Sequence, residues 1–267
     1  MFIALYRRTH PSVVSRGASA TSVVLIFLAV LASAPATILA QPATAAGNGY
    51  FFARPIFSLT IRGGVDRPTA SSEVWNFTTT NLTVGKGDFT SPGYNADLGF
   101  RVANRLDVVL SGGAARRATP SEFRKYVDNN DLPIEQTTTI RRIPVTVGLR
   151  YALRAPEERI SRFAWIPSRV TPWVGAGGGA MNYSFKQIGD FVDFETLNVF
   201  SQAFNSHGTV PMAYGNVGVD VKLTMRISLT GDLRYSHARA ALGGAFVGFD
   251  KIDLSGTAAT MGLTLRM

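Results

Sequence analysis

Ile143-Pro-Val-Thr-Val-Gly-Leu-Arg-Tyr-Ala-Leu153 is the stretch of sequence that decides the fold. Large apolar side chains occupy every second position along it, and Thr146 and Arg150 fall between them. Successive side chains of an extended strand point to opposite faces, so strict alternation predicts a β-strand with one apolar face. The opposite face carries polar groups and needs a polar environment.

The same alternation recurs along the chain and predicts eight strands. The other seven lie at residues 57–62, 95–102, 106–114, 172–183, 214–221, 227–236 and 255–267. Of the 267 residues, 46% are hydrophobic and only 17% are charged, a composition that excludes intrinsic disorder. The absence of cysteine excludes a disulfide scaffold and a cysteine-ligated metal, and three histidines are too few for a histidine-rich metal site.

The links between the predicted strands alternate in length. Short links at 103–105 and 222–226 alternate with long polar links at 64–92, 117–136, 186–209 and 240–251. The link at 154–169 departs from this rule, and we expect a short helical turn in it. Short turns on one side and long loops on the other are typical of transmembrane barrels. The part of the first long link at 71–92, rich in Thr, Ser and Asn, is expected to be a solvated loop and is a candidate for surface recognition.

The N-terminus has the order of residues found in a signal peptide. Three arginines precede an apolar run at residues 23–32, and small residues follow up to Ala40. A retained transmembrane anchor is the alternative, but it needs about 20 apolar residues. We therefore predict a signal peptide at 1–40 and one exported β-barrel domain at 41–267.

The two faces of the predicted strands differ completely in charge. Parity alone does not say which face points inward, because a soluble barrel encloses its apolar face and a membrane barrel exposes it. Export, together with the mixture of Arg, Asp and Gly on the polar face, favours the membrane barrel. The residues expected to face lipid include Leu98, Phe100, Val145, Val147, Leu149, Leu229, Leu233, Leu263 and Leu265. The expected lumenal charges are Arg62, Asp97, Arg101, Asp107, Arg142, Arg150, Asp220, Asp232, Arg234 and Arg266. The predicted fold class is thus an all-β, eight-stranded, antiparallel, up-and-down transmembrane β-barrel after a signal peptide.

Five segments of the chain resemble the small outer-membrane β-barrel family of Gram-negative bacteria, which includes the barrel domains of outer-membrane proteins A, X and W. The segments lie at 95–102, 143–151, 173–179, 217–221 and 228–235. The resemblance implies a monomer in the outer membrane, in contact with lipid and lipopolysaccharide. It also implies recognition of the C-terminal strand by the barrel-assembly machinery. Here Met267 replaces the aromatic residue with which family members usually end.

Three roles are compatible with such a barrel. The first is a structural or surface-interaction role, with the lumen plugged by Arg–Asp pairs and long loops outside the cell. The alternative is a narrow passage for small or hydrophobic solutes, in which six Arg against four Asp would favour anions. The third is a soluble periplasmic ligand-binding barrel, with its apolar face turned inward.

Other chemistry finds little support in the residues. The formal net charge is +9, but no basic run exceeds two residues, so the basic stripe expected of a nucleic-acid-binding protein is missing. Ser236 and His237 are adjacent and fall on opposite faces of a strand, and His207-Gly-Thr209 lies in a predicted loop. The glycine-rich stretch at 175–179 lacks the Lys-Ser/Thr of a phosphate loop. We predict no catalytic residue, no cofactor and no metal.

Overall fold

A computed structural model describes residues 54–128, 130–161, 164–243, 246 and 248–267. The predicted signal peptide lies outside these residues. In chain order the elements are β1 (Phe57–Pro68), α1 (Glu73–Asn81), a 3-10 helix (Lys86–Phe89), β2 (Ser91–Ala103), β3 (Leu106–Val127), β4 (Pro133–Ala152), β5 (Glu157–Ser161), β6 (Ala164–Pro167), β7 (Val170–Val192), β8 (Val199–Lys222), β9 (Ile227–Ala240), β10 (Ile252–Asp253) and β11 (Gly256–Arg266). Neither helix in the described part of the chain is long and apolar enough to span a membrane.

Eight of the strands form a closed ring. Its order is β1-β2-β3-β4-β7-β8-β9-β11, and β11 pairs again with β1. Every neighbouring pair is antiparallel, and the seam joins Ser58 to Arg266 and Pro68 to Gly256. Closure leaves no unpaired strand edge in the wall. The predicted eight-stranded, antiparallel, up-and-down barrel is confirmed.

Four strands are much longer than the sequence predicted. β3, β4, β7 and β8 contain 20 to 24 residues each. The expected loops at 117–136 and 186–209 are therefore mostly strand, and that prediction was wrong. The hairpins turn at residues 128–132 and 193–198. At the first turn the Asp128 carboxylate accepts backbone N–H bonds from Asn130 and Leu132, both at 2.8 Å, which lower its pKa.

Two other links also differ from the prediction. The link at 154–169 forms the β5–β6 hairpin rather than a helical turn, with Arg159 paired to Trp165. The link at 64–92 is not an open loop: β1 extends to Pro68, and α1 and the 3-10 helix follow. Trp75 on α1 and Phe89 of the 3-10 helix are completely buried. This segment packs as core because its two aromatic side chains are inserted between the strand ends.

The wall changes polarity along its length. In residues 143–152 of β4, the lower half, Val147 and Leu149 point outward and Thr146 points inward. In residues 133–142, the upper half, Ile134 and Ile140 point inward and are buried. The short turns and the β5–β6 hairpin lie at the lower end of the barrel, and the other long links lie at the upper end. The lower half thus has the pattern of a membrane barrel, and the upper half has that of a water-soluble one.

Candidate functional site: the barrel interior

The ten charged residues singled out in the sequence all lie on the inner face of the ring. Seven of them are buried, and the other three, Arg101, Asp107 and Arg150, are half-buried. They form four groups, which follow one another from the short-turn end to the long-link end.

The first group closes the short-turn end. Arg101 donates to Asp107 at 2.6 Å and to both carboxylate oxygens of Glu157, at 2.8 and 2.9 Å. Arg54 also donates to Glu157, at 3.2 Å. The Glu157 side chain is completely buried. Sequence reasoning missed Glu157, because it lies on β5, outside the alternating pattern of the wall.

The second group is centred on Asp220 of β8. Its carboxylate accepts hydrogen bonds from Arg150 at 2.6 Å and from Arg266 at 2.9 Å. The Thr230 hydroxyl at 2.9 Å and the Trp173 indole N–H at 3.2 Å complete its shell. Asp220 is 1% exposed. Its four donors come from four other strands, so this one carboxylate links five of the eight strands of the ring.

The third group is centred on Arg62 of β1. Its guanidinium group bridges Asp97 of β2 and Asp232 of β9. The Asn216 amide donates to Asp232 at 3.0 Å. Nearby, the Arg234 guanidinium carbon lies 4.3 Å from the centre of a tyrosine ring, in cation–π geometry.

The fourth group lies where the two halves of the barrel meet. Arg142 pairs with Asp66 and donates to the Leu254 carbonyl at 3.1 Å. Asp66 was missed because it fell in the link predicted at 64–92. Adding Asp66, Glu157 and Arg54 to the predicted set gives six acidic groups and seven arginines. The excess of arginine that favoured anions therefore falls from two to one.

The space between these groups is small. A cavity of about 20 Å³ lies between Asp97, Tyr214, Asn216 and Arg234, and a second one of about 10 Å³ lies near Arg101. The larger cavity has room for about one water molecule. Asp97 Oδ1 and Arg234 Nε are buried there without a hydrogen-bond partner, and a water bound in this cavity would satisfy them.

Above the charges, aromatic and aliphatic side chains fill the interior, with buried polar side chains such as Thr138 and Gln187 among them. The Trp75 ring lies 4.7 Å from that of Phe89 and 5.3 Å from that of Phe185, in edge-to-face geometry. The Trp75 indole N–H donates to the Asp253 carbonyl at 2.9 Å. The Asp253 carboxylate accepts from the Ser71 hydroxyl at 2.6 Å. These contacts fix α1 inside the mouth of the barrel.

The outer surface of the lower half is apolar. Of the nine residues expected to face lipid, Phe100, Val147, Leu149, Leu233, Leu263 and Leu265 are exposed, and Leu98, Val145 and Leu229 are half-buried. Val147 is 55% exposed, more than half of its accessible surface. Such a belt around a closed ring matches the hydrocarbon layer of a bilayer. The barrel is of the transmembrane type.

Neither His207 nor His237, the histidines in the described part of the chain, is hydrogen-bonded to an accessible serine. His237 Nδ1 lies 3.1 Å from the Ser255 hydroxyl, but Ser255 is buried and its hydroxyl also contacts the Ala238 backbone. A serine nucleophile must be reachable by substrate. His207 is exposed and contacts only Asn205 among the hydrogen bonds of the described residues. No group of three or more His, Asp or Glu in the described part of the chain could hold a metal.

Comparisons with solved structures return surface and outer-membrane proteins of bacteria. Neisserial surface protein A is 12% identical, with a TM-score of 0.44 over 79% of this chain and 97% of that chain. OprG from Pseudomonas aeruginosa is 14% identical, with a TM-score of 0.43 over 81% and 99%. The outer membrane protease OmpT from Escherichia coli is 7% identical, with a TM-score of 0.37 over 81% and 98%. No protein-family model and no curated protein matches the chain.

Proposed function

We propose that this chain is a structural barrel of the outer membrane, closed to solutes, whose upper half presents a rigid surface outside the cell. The observation that carries this proposal is the filling of the interior along the whole barrel. Ion pairs fill the lower half, and the aromatic side chains around Trp75 fill the upper half.

The ion pairs support a plug rather than a passage. A charge moved from water into a protein interior is tolerated only when it is paired and hydrogen-bonded. Asp220 and Arg62 each have two charged partners, and all four partners lie on other strands of the ring. A solute could pass only if several of these pairs opened together.

Planar bilayer recordings on the purified protein test the closed lumen. Boiled and unboiled gel samples first establish that the barrel is folded, because a closed barrel migrates anomalously until it is heated. We expect no steady conductance above that of the bilayer alone. Conductance steps that disappear in Arg150→Ala or Asp232→Ala would support the alternative, a narrow passage for small solutes.

The surface role is supported by the tips of the two long hairpins. Leu132 at the β3–β4 turn is 58% exposed and Leu197 at the β7–β8 turn is 59% exposed, so both present apolar surface. Aromatic contacts join the hairpins, since the ring centres of Tyr126 and Phe194 lie 6.1 Å apart. Exposed apolar patches on a rigid frame are typical of interaction surfaces.

Adhesion of cells producing the protein tests this surface role. We expect the double variant Leu132→Asn, Leu197→Asn to reduce attachment to host-cell monolayers while keeping the heat-dependent gel shift. Leu223→Asn, at a short turn of the opposite end, is the matched control, because Leu223 is equally exposed. Equal attachment of all three proteins would count against a role for the tips.

A further inference from the structure

Two arginines face each other on the outer surface of the barrel. Arg116 of β3 lies directly opposite Arg141 of β4, and both alternate with inward-facing neighbours. Like charges placed opposite each other in a sheet destabilise the pair. No carboxylate in the described part of the chain lies within 4 Å of either guanidinium group, and Arg141 Nε is buried without a hydrogen-bond partner. The pair therefore lacks a counter-ion.

The position of this pair fits the headgroup region of a bilayer. On β4 the outward residues below Arg141 are Ile143, Val145 and Val147, all apolar. On β3 the outward residues below Arg116 are small or apolar as far as Leu106. Each arginine is thus the first basic residue above the apolar belt on its own strand. Lys186 of β7, which lies opposite Thr139, adds a third cation beside them.

Beside and below the pair, the outer surface of the wall carries a patch of small residues, here called the small-residue floor. On β7 and β8 the outward positions Ala176, Gly178, Ala180, Ala213 and Gly215 lie side by side, with Gly178 opposite Ala213 and Ala176 opposite Gly215. A Cβ atom added at Gly215 would meet no atom within 4 Å, so this surface is open. Ala180 lies four residues below Ser184, the residue opposite Arg141, which is about 13 Å along the strand.

We propose that Arg116 and Arg141 bind the phosphate of a phosphorylated lipid in the outer leaflet, with an acyl chain lying on the small-residue floor. The proposal rests on the proposed outer-membrane location. Guanidinium groups bind phosphate oxygens through paired, charge-assisted hydrogen bonds, and a phosphate between them removes their mutual repulsion. The floor favours a lipid over free phosphate, because only a lipid would cover it.

Retention of lipid A by the folded protein tests the site. The protein is reconstituted in phosphatidylcholine vesicles containing lipid A, extracted in mild detergent and analysed by native mass spectrometry. We expect the wild type to retain lipid A and the double variant Arg116→Gln, Arg141→Gln to retain about tenfold less. Arg105→Gln, Arg226→Gln removes the same charge at the short-turn end and should retain as much lipid as the wild type.

Three further arms identify what is bound. Dephosphorylated lipid A should be retained no better by the wild type than by the double variant. Gly215→Leu, which fills the floor without changing charge, should lower retention of intact lipid A. Inorganic phosphate at millimolar concentration should leave retention unchanged, and displacement of the lipid by it would overturn the lipid assignment in favour of a free-phosphate site.

Failure of this inference differs from failure of the proposed function. Equal retention by the wild type and by the double variant, both inserted and heat-modifiable, would overturn the lipid site alone. A wild type that neither inserts into vesicles nor shifts on heating would overturn the outer-membrane proposal, and the lipid site with it.

Discussion

The lower and upper halves of the barrel use the same alternation of residues for opposite purposes. In the lower half of β4, Val147 and Leu149 point outward and Arg150 points inward. In the upper half, Thr137 and Thr139 point outward while Ile134 and Ile140 are buried inside. One continuous strand thus meets lipid along one part and water along the other. The alternation fixes the strand, but the solvent on each side decides which face is apolar.

The two halves also differ in what stabilises their interiors. The lower interior depends on charges that are paired within networks, as around Asp220, whose carboxylate two arginines share. The upper interior depends on shape and apolar burial around Trp75. Loss of a charge should therefore destabilise the lower half, and loss of a large apolar side chain should destabilise the upper half. Variants in each half, compared with matched controls, measure these two costs.

The largest effect is expected from removing the central carboxylate. Asp220→Asn leaves the half-buried Arg150 and the buried Arg266 without an anion, which lowers the free energy of unfolding by about 3–5 kcal/mol. Urea unfolding in lipid vesicles, followed by gel migration, measures this loss. Glu158→Gln is the control, because its ion pair with Arg154 is exposed and contributes about 0–1 kcal/mol. Equal losses in the two variants would contradict the plug.

In the upper half, Trp75→Ala is expected to cost a similar amount, about 3–5 kcal/mol, through loss of apolar burial and of packing. Asn76→Ala, on the exposed side of α1, should change the free energy of unfolding by about 0.5 kcal/mol or less. The same urea titration measures both variants. If Trp75→Ala lowered the free energy of unfolding no more than Asn76→Ala does, α1 would not be part of the core.

A charge placed on the outer wall tests the change of solvent directly. Val147→Arg puts a guanidinium group in the apolar belt and should cost about 2–4 kcal/mol near the bilayer midplane. Thr137→Arg places the same group on the same face of the same strand, ten residues higher and opposite uncharged residues, and should cost about 0.5 kcal/mol or less. Insertion efficiency into vesicles gives the readout. Equal insertion of the two variants would contradict the assignment of lipid around the lower half and water around the upper half.

The smallest effect is expected from protonation above the membrane. Burial raises the pKa of Asp253, but hydrogen bonds from Ser71 and Ser255 outweigh it and hold this pKa below its ordinary value. The stability that this carboxylate adds is present above its unfolded pKa of about 4 and is lost as the pH falls through the lower folded pKa. Wild type and Asp253→Asn should therefore differ in thermal stability at pH 7 and converge once the pH falls below the lowered folded pKa of Asp253. A difference unchanged by pH would exclude this role.

The lower half could be predicted from the sequence because large apolar residues and charged residues never share a face there. From Ile143 to Leu153 every large apolar residue has the same parity. The upper half could not, because there Thr side chains replace the large apolar residues on one face and the segment resembles a polar loop. The sequence feature that marks the boundary between the two halves is a pair of arginine doublets, Arg116-Arg117 and Arg141-Arg142. Two consecutive charges put one on each face, so each doublet marks the level at which both faces are polar.

Glu157 and Trp75 escaped prediction for a different reason. Neither belongs to a barrel strand, and each reaches the interior from a link that folds back into the mouth of the ring. Their partners lie far away in sequence: Arg54 and Glu157 are 103 residues apart, and Trp75 and Asp253 are 178 apart. Local patterns carry no information about such contacts.

The bonds of Arg62 also constrain the order of assembly. Its partner Asp97 lies on the neighbouring strand β2, whereas its other partner, Asp232, lies on β9, late in the chain. Until β11 docks against β1, the guanidinium group lacks its second carboxylate and remains open to water. Pairing of these buried charges and closing of the seam are therefore a single step, and a chain arrested before it would be an open sheet with these charges still in solvent.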